Sequence, residues 1–128
     1  MDRKDESFET GMSVRRDMFG AAGAEQRLAA ATDFNLPFEE LVTRYCFGDA
    51  WGRPGLDRKT RSLLTLAILT ALTKPNQLKI HVRGALVNGC TREEIREVLL
   101  HTAIYAGIPA GVEAFTAAAE VLGPGEPR

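Results

Sequence analysis

His81 is the residue of this chain best suited to handling a proton. It stands in the stretch Gln77-Leu78-Lys79-Ile80-His81-Val82-Arg83. Leu78, His81, Val82, Ala85 and Leu86 recur there at helical spacing and so share one face. An imidazole titrates near neutrality, and apolar neighbours keep it dry, which suits a hydrogen-bond donor or a general acid. The same pattern also describes a core histidine without chemistry. Gln77 lies one turn earlier on that face, where it can orient the ring or donate to a ligand, or remain a surface amide. Binding a carboxylate calls for arginine, whose planar fork matches it. Arg44, Arg53, Arg58, Arg61 and Arg83 are available. Arg44, beside Tyr45, and Arg61, at the start of an apolar helix, are favoured as substrate-binding residues. Arg83 is two positions from His81, which on a helix means the other side. Trp51, in a glycine-rich loop, is either a wall of the pocket or an anchor at the edge of the core. His101 and Tyr105 share a side with Glu94 and Glu97 and read as solvated or intersubunit. Glu39 and Glu40 suit the positive end of a helix.

The elements that position these side chains all read as helices. Asp5 to Phe19 is amphipathic, with Phe8, Met12, Arg15 and Phe19 on one stripe. A short helix spans Glu25 to Ala31. The next runs from Pro37 to about Phe47 and points Phe38, Leu41, Val42 and Tyr45 inward. A loop from Gly48 to Leu56 leads to Asp57, a candidate cap for a helix over Arg58–Leu72. That helix is apolar nearly all round, so it must be covered on all sides. A small chain rarely encloses a helix completely, which implies an oligomer. Pro75 opens the helix that carries His81, and Asn88-Gly89 ends it. Thr91-Arg92-Glu93-Glu94 is a capping box, and Ile95, Val98, Leu99 and Thr102 line the inner face of the helix it starts. The last helix runs from Pro109 to about Leu122. The expected fold is all-α, a compact bundle of about six or seven helices. One domain covers 1–128, with a helical extension over 1–36 and a flexible tail over 123–128.

Composition narrows the function classes. At 128 residues the chain suits one core, and 45% hydrophobic with 26% charged residues is ordinary for a soluble globular protein. A formal net charge of −1 provides no basic field for nucleic acid. Cys46 and Cys90 form no Cys-x-x-Cys, and no second histidine stands at metal-ligand spacing, so neither a disulfide framework nor a metal site is expected. The charged first residues lack an apolar stretch of signal-peptide length, and Leu63–Leu72 is too short to cross a bilayer. The expectation is a cytoplasmic protein without a membrane or nucleic-acid partner.

A set of segments carries a family resemblance. They are Gly11-Met12 with Val14-Arg15-Arg16, Thr32-Asp33-Phe34-Asn35, Glu40 to Tyr45, Trp51 to Leu56, Arg58 to Leu64, His81-Val82-Arg83, Thr91 to Ile95 and Tyr105 to Ala110. Together they resemble the carboxymuconolactone decarboxylase and alkylhydroperoxidase D-like superfamily over nearly the whole chain. The N-terminal half and the tryptophan loop are similar to its decarboxylase branch in particular. The resemblance implies an all-helical homo-oligomer, a trimer or hexamer, that works without a cofactor. It implies conversion of 4-carboxymuconolactone, a small anionic lactone, to 3-oxoadipate enol-lactone and carbon dioxide in protocatechuate breakdown by the β-ketoadipate route. It also marks His81 as the catalytic residue. The superfamily's peroxidase branch carries a Glu, then a Cys-x-x-Cys, then a His. Aligned on His81, the thiol positions fall on Lys74 and Gln77 and the carboxylate position on Ser62. Without a thiolate there is no nucleophile for a peroxide, so a thiol-dependent peroxidase or reductase is disfavoured. A non-catalytic helical oligomer is the other alternative.

The implied chemistry makes modest demands on a protein. Loss of carbon dioxide leaves an electron pair that spreads through the butenolide ring onto the lactone carbonyl oxygen. The substrate is its own electron sink. The protein must stabilise that oxygen with preorganised donors, return a proton to carbon and hold the remaining carboxylate without overstabilising the one that departs.

Overall fold

Helical periodicity in the sequence is matched by an all-helical chain. The computed structural model describes residues 3–128, with side chains from residue 5, and among these residues there are seven α-helices and no strand. No helix among the described residues is long and apolar enough to cross a membrane. The chain divides into two compact units, the first ending at Asp57 and the second beginning at Arg58.

The first unit opens with α1, Arg3–Phe19, whose Asp5 and Glu6 at the start and Arg16 at the end suit the helix dipole. A 3₁₀ turn, Ala21–Gly23, leads to α2, Glu25–Ala29, and then to α3, Leu36–Leu41. The chain continues without a break into a π-helix, Val42–Ala50. Its wider hydrogen bonding carries on past its end, where Trp51 N donates to Cys46 O at 2.9 Å. Val14, Met18, Phe47 and Trp51 form the apolar core. α1 and the π-helix approach closely at two glycines. A Cβ on Gly11 would strike the Thr43 carbonyl oxygen, and one on Gly48 would strike the Ser7 carbonyl oxygen.

One expectation is reversed here. Phe38, Leu41 and Tyr45 do not point inward; they are 63%, 56% and 70% exposed. Glu39, Thr43, Phe47 and Gly48 form the inner side instead. The cause is Arg15, a buried cation on α1. Its Nη2 lies 3.2 Å from Glu39 Oε2, its Nη1 donates to Thr43 Oγ1 at 2.9 Å, and its Nε donates to the Gly23 carbonyl at 2.9 Å. Arg27 Nε also donates to Glu39, at 3.1 Å. An uncompensated buried charge costs several kcal/mol by rough estimate, so α3 turns its polar side toward Arg15. The predicted loop from Gly48 also begins later, because Gly48 to Ala50 complete the π-helix.

The second unit consists of α4, Arg58–Ala71; α5, Pro75–Val87; α6, Arg92–Ala106; and α7, Ile108–Leu122. α4 packs on α5 and α6, and α7 on the same two. Leu66, Leu78, Val82, Ala85, Ile95 and Leu99 centre the core. Thr91 caps α6 in a full capping box with Glu94. Gly107, at φ 110°, makes the turn from α6 into α7, a conformation that side-chain-bearing residues avoid. Gly111 lets α7 approach Ala103 of α6, where a Cβ would intrude. On α4, Ser62, Leu66 and Thr70 are buried, while Leu64, Ile68 and Leu72 beyond its end are 48%, 55% and 62% exposed. This unit therefore covers only one side of the apolar helix.

Candidate functional site

α5 holds His81 by its neighbours. Leu78, Val82 and Ala85 are buried on its inner side and lock the rotation of the helix. Leu86, expected on that face, is 41% exposed instead, since it falls at the edge of the stripe where α5 turns outward. His81 itself is half-buried, and its Nδ1 is fully enclosed. Burial pushes the imidazole below its ordinary pKa. The ring is therefore neutral at physiological pH, with one N–H to donate and one nitrogen to accept.

The register of α4 against α5 locates the other candidates in this unit. Asn88 Nδ2 donates to Ser62 Oγ at 3.0 Å, and Cys90 Sγ lies 3.6 Å from the Lys59 carbonyl. The helices are thus antiparallel, with Arg61 at the Asn88 end. His81 is seven residues before Asn88, or about 10 Å along the axis. Gln77 lies the other way from His81, by about 6 Å, and is exposed. Arg61 is half-buried, with its Nε enclosed. Gln77 and the Arg61 end of α4 thus lie to opposite sides of His81 along the axis of α5. Arg83 is exposed, consistent with its place on the other side of the helix.

Two further candidates belong to the first unit. Arg44 projects from the π-helix. Its Nη1 donates to Glu40 Oε2 at 3.1 Å, and its guanidinium lies over the Phe8 ring, 5.2 Å from the centroid. Its Nε is buried and has no hydrogen-bond acceptor among the described residues. Trp51 is buried at 8% exposure and packs on Phe47, with ring centroids 6.2 Å apart. Trp51 thus belongs to the apolar core of the first unit.

Thiol chemistry has little support in these surroundings. Cys46 is half-buried, and burial raises its thiol pKa above the ordinary value despite Arg15 nearby. Cys90 is buried. Ser62, at the position where the peroxidase branch carries its carboxylate, is buried and accepts from Asn88. Among the described residues no three His, Cys, Asp or Glu side chains gather as a metal ion would need. A cavity of about 680 Å³ lies between α6, α7 and the C-terminal residues, and neither His81 nor Arg61 lines it. Its Arg92 already donates to the Leu122 and Gly123 carbonyls at 2.7 and 2.8 Å.

Sequence reasoning missed the Arg15–Glu39 pair and the Ser62–Asn88 hydrogen bond. Each joins residues more than twenty positions apart, and no local periodicity signals such a pairing.

Comparison with known proteins finds relatives along nearly the whole chain. The chain is 38% identical over 118 residues to the 4-carboxymuconolactone decarboxylase of Acinetobacter baylyi, covering 92% of this chain and 88% of that protein. It is 47% identical over 107 residues to the nitrosuccinic acid decarboxylase of Metarhizium robertsii, covering 84% of this chain and 75% of that protein. A 4-carboxymuconolactone decarboxylase of Pseudomonas putida is 41% identical over 49 residues, 38% of this chain. Residues 37–120 match the carboxymuconolactone decarboxylase family. With that match over most of its length and a relative aligned along nearly all of it, the chain belongs to the carboxymuconolactone decarboxylase family.

Proposed function

We propose that this decarboxylase converts 4-carboxymuconolactone to 3-oxoadipate enol-lactone and carbon dioxide. The observation that carries the reading is the likeness to the Acinetobacter baylyi enzyme along 92% of the chain. His81 is the residue at the reacting centre. Held neutral by burial, it donates its N–H to the lactone oxygen as charge develops there, a contribution typically worth about 3–4 kcal/mol of barrier. This is a narrower role than that of an imidazolium acid, because the charged ring is disfavoured. The proton that carbon takes up comes ultimately from water. Arg44 and Arg61 are the residues that grip substrate carboxylates, and Gln77 orients the imidazole or the lactone.

A second substrate is favoured by the higher identity, 47%, to nitrosuccinic acid decarboxylase. The chemistry is parallel. Carbon dioxide leaves the carbon that bears the nitro group, the pair spreads onto nitro oxygens as a nitronate, and a second carboxylate stays behind. The same donor and the same cationic grip serve both reactions. Enzymatically generated 4-carboxymuconolactone and nitrosuccinate, each followed for carbon dioxide release, test the two readings. Faster release from the lactone supports the first, and from nitrosuccinate the second. Release from neither rejects both.

The chain also acts as a homo-oligomer in this reading, a trimer or hexamer. Support comes from the uncovered Leu64, Ile68 and Leu72 on the apolar helix.

A further inference from the structure

We propose that Glu40 occupies on Arg44 the position that a substrate carboxylate takes, so that substrate binds by exchanging with an internal anion. This rests on the reading of Arg44 as a residue that grips substrate. Glu40 Oε2 accepts from Arg44 Nη1 at 3.1 Å, and the two side chains are 36% and 33% exposed, so a solute can reach the pair. A carboxylate is the group that Arg44 would recognise in a dicarboxylic substrate, and Glu40 already presents one in that geometry.

The guanidinium is held by something other than Glu40. It lies over the Phe8 ring at 5.2 Å, a contact that persists whichever anion is bound. Its Nε is buried and lacks an acceptor among the described residues. A single i, i+4 contact from Glu40 engages Nη1 alone. A free carboxylate is not tied to the helix and can take the end of the fork through Nη1 and Nη2, which gives it the advantage over the tethered one. Glu39, next in sequence, does not compete. It is 5% exposed and committed to Arg15 and Arg27.

The exchange makes Glu40 a determinant of affinity that opposes substrate. In a half-exposed pair of this kind the opposition is small, so Glu40→Gln should lower KM by about two- to fivefold. Arg44→Ala should raise KM. The decisive measurement is the double variant, assayed with whichever of the lactone and nitrosuccinate the wild type turns over, alongside inhibition by succinate. If Glu40 acts by occupying Arg44, Glu40→Gln has no effect on KM or on succinate inhibition once Arg44 is Ala. If Glu40→Gln still lowers KM in that background, its negative field acts at a distance and the exchange is wrong. If Glu40→Gln raises or leaves KM while Arg44→Ala raises it, the exchange fails and the role of Arg44 stands. If Arg44→Ala changes neither KM nor inhibition, or the wild type turns over neither compound, the underlying reading fails as well. Circular dichroism melts of each variant separate these outcomes from loss of fold.

Discussion

In the proposed reaction His81 carries the chemistry in one ring, and burial decides which protonation state that ring offers. Replacing it with Ala should lower kcat by about 100- to 1,000-fold while KM changes little, the pattern of an interaction made in the transition state. Steady-state rates on the active substrate check this, and a kcat within threefold of wild type would remove His81 from the reacting centre. The pH dependence follows from the direction of its shift. The folded pKa lies below the ordinary value, so the donating neutral ring persists below pH ~6.5. kcat should hold through that region and decline only as the ring finally protonates. A decline centred above the ordinary imidazole value would contradict the neutral donor. Stability follows the same sign. The unfolded chain takes up the proton first, so the contribution from a neutral His81 is complete above pH ~6.5 and is lost as pH falls through the folded pKa. Melts of wild type and His81→Asn between pH 5 and 8 should converge toward the acid end. The half-buried position of this histidine was legible from the spacing of Leu78, Val82 and Ala85. The partners of Glu39 were not, because they depend on Arg15 from a different helix.

The π-helix is the element whose form depends most on its neighbour. Thr43 Oγ1 donates to the Glu39 carbonyl at 2.7 Å while accepting from Arg15, which ties the segment's start to the buried ion pair. Gly48 and Gly11 let it lie directly against α1. Gly48→Ala should therefore destabilise the first unit by about 1–3 kcal/mol, because the obstacle is backbone and cannot swing aside. Chemical denaturation of the variant measures this, and an unchanged midpoint would show that the two elements separate at little cost. Two local signals in the second unit behaved as read. The capping box at Thr91 and the stop at Asn88-Gly89 are set by backbone hydrogen bonding within a few residues. The rotation of α3 was misjudged because periodicity reports which residues are apolar and not which side a buried cation claims.

For the molecule as a whole, the uncovered side of α4 is the feature that matters most. Fully burying one large aliphatic side chain gains about 1.5–3 kcal/mol, and Leu64, Ile68 and Leu72 leave roughly half or more of that unrealised in the isolated chain. Ile68→Glu should shift the protein toward monomer without unfolding it, since the side chain faces away from its own core. Sedimentation velocity reads this directly. An assembly of unchanged mass would place the contact elsewhere, and a wild type that runs as a monomer would end the oligomer proposal.

Residue types and their spacing were enough to establish that the chain is helical, where most helices begin and end, and that His81 belongs on a sheltered face. Those properties depend on interactions within a few turns, which a linear pattern records. The inward turn of Glu39 and the exposure of Phe38, Leu41 and Tyr45 came only with the folded chain. Each depends on a partner distant in sequence, and on the rule that a buried charge must find its counter-charge before apolar side chains settle their own places.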